Sequence, residues 1–170
     1  MPAGLKQTSS TVSIGFNVTE SAANTFTQGQ VDLNLSPLDR EVFVVLAVNL
    51  DPFIPDIGAP GASSQVKSSL STTSQTAVLN LDNANCMAAS LNAIVGDGAA
   101  AVTAFQTGAF ETPPATLDYI GIIATNDFFV QVEGSGNSVA KEVNGKLYGY
   151  RAVASADIYA ALVQSEVLSA

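Results

Sequence analysis

The sequence predicts a mainly β protein: an antiparallel β-sandwich, jelly-roll topology favoured, with one or two short helices, forming a single domain over residues 1–170 with terminal arms. Three observations predict it. Short stretches alternate apolar and polar residues with a period of two, and turn-forming residues interrupt them at regular intervals. The helices that a doubly wound α/β chain needs after most of its strands are missing. Composition agrees: 170 residues fit one domain, and 47% hydrophobic against 12% charged residues supplies enough apolar surface to offset the entropy of ordering.

Taken in order, "TVSIGFNVT" (11–19) places Val12, Ile14, Phe16 and Val18 on one face, and "QVDLNLS" (30–36) does the same with Val31, Leu33 and Leu35. "EVFVVLAVNL" (41–50) departs from the pattern, because seven apolar residues run unbroken from Val42 to Val48. Regular alternation puts Val42, Val44, Leu46 and Val48 on one face, and Phe43, Val45 and Ala47 on the other, so both faces need apolar cover. Either helices of the same chain lie across the outer face, or another copy of the chain covers it. "DPFIPDIGAPGASS" (51–64) reads as a long, rigid Pro/Gly-rich loop, and "QVKSSLS" (65–71) and "QTAVLNL" (75–81) as two short strands. In "DNANCMAASLNAIVG" (82–96), Met87, Leu91, Ile94 and Val95 recur at i, i+4, i+7 and i+8. That spacing predicts a helix capped by Asp82 or Asn83 and ended by Gly96. After a Gly/Ala-rich stretch, "LDYIGIIA" (117–124) and "DFFVQVEG" (127–134) read as strands. Asn144-Gly145, inside "KEVNGKLYGYRAVA" (141–154), predicts a hairpin with a type I′ turn. "SADIYAALVQSEVL" (155–168) predicts a helix capped by Ser155, with Tyr159, Leu162, Val163 and Val167 as its apolar stripe.

The charge balance narrows the function. Fifteen carboxylates against six cations give −9, and no positive side chain occurs between Lys67 and Lys141. Direct contact with nucleic acid or an anionic membrane needs clustered Lys and Arg, so neither partner is expected. No run is long enough to span a bilayer, and "MPAGLKQTSSTVSIGF" lacks the apolar core of a secretory signal. Histidine is absent, which removes the usual zinc sites and every Ser-His-Asp or Cys-His arrangement. The lone Cys86 reads as a small hydrophobe.

Three weak motifs remain. Ser64-Gln-Val-Lys67 matches S-x-x-K without its companion elements. "GDGAAA" (96–101), with Asp118 beyond it, resembles a dinucleotide fingerprint in the wrong structural order. Asp51 with Asp56, or Glu111 with Asp118, are carboxylate pairs of the kind a glycosidase uses, and the first pair also suits calcium; two prolines more simply make a rigid turn there. No catalytic residue, cofactor or metal is therefore expected, and the chain is read as a non-enzyme.

Thirty Ser and Thr, eleven Asn and only four Lys describe a surface poor in the residue that interfaces avoid. With the alternating strands "TVSIGFNV" and "VDLNL", the buried "EVFVVLAVNL" and the Asn-Gly pair, the chain resembles the small jelly-roll capsid proteins of tailless icosahedral viruses, over most of its length. The resemblance implies a structural virion protein that self-assembles into a shell, made in the host cytoplasm, with copies of itself and other virion proteins as partners. The acidic balance fits a shell separated from the genome by a membrane or another protein. Contact residues are expected at Phe43 and Val45 on the second face of the central strand, and at Pro52, Phe53, Ile54 and Pro55 in the loop after it. The terminal arms "MPAGLKQ" and "VLSA" are expected to be held by neighbouring copies. The alternatives are a non-viral filament or surface-layer subunit, which should carry an export signal, and a carbohydrate-binding module, for which Tyr148 and Tyr150 would supply the aromatic platform.

Overall fold

The computed structural model describes residues 3–107, 109–111 and 118–168. These form β1 (Leu5–Gln7), β2 (Val12–Thr19), β3 (Thr27–Asp32), β4 (Glu41–Pro52), β5 (Ser64–Ser71), β6 (Cys86–Gly96), β7 (Val102–Thr107), β8 (Ala109–Glu111), β9 (Gly121–Ile123), β10 (Asp127–Ser135), β11 (Glu142–Ala154) and α1 (Ala156–Leu168). In the first of two antiparallel sheets, β1 and β2 pair successive parts of β11, β11 pairs β4, and β4 pairs β8 and β9. The second runs β3-β10-β5-β6-β7. The early strands pair late ones in nested order: β2 with β11, β3 with β10, β4 with β9, β5 with β6. An antiparallel ribbon wound into two facing sheets in this way is a jelly roll, the topology that the sequence favours.

The core lies between the sheets and is built from alternate residues of each strand, among them Phe43, Val45, Leu70, Phe128, Val130 and Leu147. Phe16 meets Phe128 edge to face, with ring centroids 5.7 Å apart.

The apolar run of β4 finds its second cover inside the chain. Val42 and Val44 face away from the sandwich core and join Leu5, Tyr150 and Ala152 in a second cluster, against which Ile158, Tyr159, Leu162 and Val163 of α1 pack. Ser155 caps the helix, its carbonyl accepting from the Tyr159 N–H at 2.9 Å. Val167, expected in the apolar stripe, is 62% exposed. The face assignment along β4 also changes. Tyr148 pairs with Ala47 but Gly149 with Val45, so Leu46 is an extra residue, a β-bulge. The bulge reverses the alternation: Phe43 and Val45 point into the core before it, and Val48 and Leu50 after it. Gly149 sits opposite, where a Cβ would strike the Phe43 ring and the Val44 carbonyl.

Other expectations are corrected. The helix expected over 82–96 is absent: residues 82–85 are turn, and Cys86–Gly96 form strand β6. Its inward positions Ala88, Ser90 and Asn92 are buried but small or polar, with Ser90 bonded to Ser68 at 2.5 Å, so the period of two is invisible in hydropathy. Segment 75–81 is not a strand; it crosses the outer face of the second sheet, held by Gln75 N–H to Gln28 Oε1 (2.7 Å) and Leu79 N–H to Ser69 Oγ (3.0 Å). Asn144-Gly145 is not a turn. Neither residue has the positive φ that a type I′ turn requires, and both lie mid-strand in β11, where Gly145 leaves room for the Phe16 ring. Leu33 and Leu35 are core residues but follow β3 rather than belong to it, and of the strand expected over 117–124 the described residues 118–124 form only Gly121–Ile123, Leu117 lying outside them. Residues 5–7, expected in an arm held by a neighbour, form β1 against the chain's own β11.

Candidate assembly surface

Four loops meet at one end of the sandwich: 20–26, 53–63, 97–101 and 136–141. Polar side chains tie them together. Glu20, buried, accepts from the N–H groups of Thr25 (3.0 Å), Gly134 (2.7 Å) and Lys141 (2.7 Å). The Asn24 side chain bonds the Asn137 backbone twice, Nδ2 donating to its carbonyl and Oδ1 accepting from its N–H, each at 2.8 Å. The Gly98 N–H donates to the Gly61 carbonyl at 3.2 Å.

The loop after β4 is held hardest. The Phe53 N–H donates to the Glu142 carbonyl (2.8 Å), Asn92 Nδ2 to the Pro52 carbonyl (2.7 Å), the Asp56 N–H to Asn137 Oδ1 (2.9 Å) and Ser64 Oγ to the Asp56 carbonyl (2.5 Å). The Asp56 carboxylate pairs with the Lys141 ammonium and accepts from the Ser138 hydroxyl (2.7 Å) and N–H (2.9 Å). Lys141, followed by Ser138, holds the Asp56 carboxyl well below the usual carboxylate range. The Lys141 side chain, 3% exposed, also lies 5.7 Å from the centre of the Phe53 ring.

This anchoring fixes what the loop presents. Pro52 and Pro55 are buried and shape it, whereas Phe53, Ile54 and Ile57 stand 53%, 71% and 82% exposed. Of the six expected contact residues, only Phe53 and Ile54 therefore face outward. Phe43 and Val45 are enclosed by the sandwich core, where a neighbour cannot touch them. The chemistry on offer is apolar contact from a rigid support, the arrangement that lowers the ordering cost of binding.

Beside the loop, between Pro52, Ile54 and Pro55 on one side and β6 and β7 on the other, opens a cleft of about 510 Å³. Phe105 of β7, which lines it, is 56% exposed, and Val102 at the start of the same strand is 48% exposed. This strand was missed in the sequence, although "VTAFQT" holds the β-branched and aromatic residues that favour strands.

The remaining motifs do not converge. Asp56 is committed to Lys141 and Ser138 and forms no pair with Asp51. The Glu111 side chain lies outside the described residues. Ser64 and Lys67 point to opposite faces of β5. "GDGAAA" follows a strand and leads into β7, with no helix after the glycines. Tyr150 is buried in the helix-side cluster, which dismantles the aromatic platform expected of Tyr148 and Tyr150. Among the described residues, no three His, Cys, Asp or Glu side chains gather as a metal site needs.

No family of known proteins matches the chain, and no curated protein is similar to it in sequence. Among solved structures, a chain from Desmodium yellow mottle tymovirus is similar to it at 13% identity, over 92% of this chain and 95% of that one, with a TM-score of 0.30. At that score the likeness carries no weight, and the fold rests on the strand pairings described above.

Proposed function

We propose that this chain is a structural virion protein, a coat subunit that assembles with copies of itself into a shell. The observation that carries the reading is the loop after β4. A jelly roll whose core closes within one chain holds three large apolar side chains in solvent, on a loop that hydrogen bonds and an ion pair keep rigid. Exposed apolar groups on a fixed support are what a subunit contact requires, and they gain nothing for a solitary soluble domain. The composition supports the same reading, with few lysines and a net charge of −9 that disfavours direct packing against the genome. Copies of itself and other virion proteins are the partners, and the virion is the location.

The test is sedimentation of the untagged chain beside an Ile54→Lys/Ile57→Lys double variant. Both positions are solvent-exposed, so the variant folds and melts as the parent does. The parent sediments as large assemblies and the variant as a folded monomer. Assembly of the variant at the parent's concentration would remove the loop from the contact.

A further inference from the structure

We propose that β7 is a strand-addition edge at which a second copy of this chain pairs, β7 against β7, making the second sheets of the two copies continuous across a two-fold axis. The inference deepens the shell reading and rests on it only in taking the occupant to be the same chain.

Among the described residues, the second sheet ends at β7 on that side. All six residues of the strand are exposed, and it contains no charge, no proline and no bulge. Natural edge strands ordinarily carry one of these protections, because bare N–H and C=O groups template further pairing. The strand's inward face is open as well. Ala104 and Gln106 pair in register with Ile94 and Asn92, whose side chains line the cleft between the sheets, yet Val102, Ala104 and Gln106 remain exposed. At the back of the cleft Asn92, 7% exposed, commits Nδ2 to the Pro52 carbonyl, and its Oδ1 has no hydrogen-bond partner among the described residues. An unpartnered buried acceptor is rare in a finished fold. The Gln106 amide stands directly across the strand pair from Asn92 and becomes its donor once an added strand covers the edge and orders it.

Charge and shape select the same chain as occupant. Two copies at −9 repel through most of their surface, but residues 98–107 carry no charge. A two-fold axis perpendicular to the sheet keeps both inward faces on one side, so residues of like parity oppose each other. Centred on Ala104, it sets Ala104 against Ala104, Thr103 against Phe105 and Val102 against Gln106 of the second copy. The smallest side chain then lies on the axis, and each large one meets a smaller one. Six residues bury far less than the roughly 800 Å² per partner of a stable dimer, so the pairing holds within an assembly more firmly than alone.

The experiment is an Ala104→Cys variant under mild oxidation, with the parent chain (Cys86 alone) as control. Opposed antiparallel Cα atoms sit about 4.5–5.5 Å apart, inside the range a disulfide spans. The variant should run as a covalent dimer that reductant dissolves, while the parent stays monomeric on the same gel. Ala104→Lys should abolish edge pairing with circular dichroism unchanged. No dimer above the parent's level overturns the pairing, and so does Ala104→Lys protein that still forms parent-like assemblies; the latter result leaves the shell reading standing. Covalent dimers in a sample that forms nothing larger would keep the pairing and sink the shell.

Discussion

Val45 shows how the physics is decided by single residues. It is fully buried between the sheets, one register step from the bulge at Leu46, and its neighbours all belong to the same chain. A carboxylate placed there has no partner and no water. Such a charge costs about 3–5 kcal/mol, a large share of the roughly 5–15 kcal/mol that holds a domain together. Val45→Asp is therefore expected to give an unfolded chain by circular dichroism rather than a folded monomer that fails to assemble. A folded, non-assembling variant would mean that the face of β4 carrying Val45 is an intersubunit surface. The exposed Ile54 and Ile57 stand on the other side of this distinction: charge there should spare the fold and strike the contact.

At the scale of elements, α1 is the piece that completes the sheet of β4 and β11, and its latch is electrostatically awkward. Glu166, 7% exposed, accepts from the Ala124 and Thr125 N–H groups at 2.9 Å each. Burial pushes its carboxyl above the ordinary 4.5, with Asp127 adding to the shift and the two N–H groups opposing it. A carboxyl raised in the folded state binds its proton more tightly there than in the unfolded chain. Its contribution is present in full below pH 4.5 and is lost as pH rises through the folded value. Glu166→Gln cannot titrate, so the difference in melting temperature between the variant and its parent should move in the variant's favour from pH 4.5 to pH 7. A difference that stays constant over that range would place Glu166 in solvent.

The elements also mark what the sequence discloses. Strands whose inward residues are large and apolar, such as Val12–Thr19 and Asp127–Ser135, announce themselves by period, and the Ser155 cap announces α1. β6 does not, because Ser90 and Asn92 occupy inward positions, where Ser90 bonds Ser68 and the Asn92 Nδ2 bonds the Pro52 carbonyl, leaving Met87, Leu91, Ile94 and Val95 to imitate a helix. Asn144-Gly145 misleads for a different reason: the strand wants Gly145 for the close approach of Phe16, not for a turn. In the candidate surface, the loop after β4 is legible from its prolines, while the Lys141–Asp56 pair that fixes it joins residues far apart in the chain and has no local signal.

For the whole molecule, the closed core, the anchored apolar loop and the exposed β7 strand are the features on which the proposed shell role rests. The claim is about mass. Light scattering and electron microscopy of one native, untagged sample test it most directly. Megadalton particles with closed, regular outlines are expected, formed without any added partner and dispersed by the loop substitutions. A single species at 17.4 kDa across the concentration range, with empty fields on the grid, would contradict it.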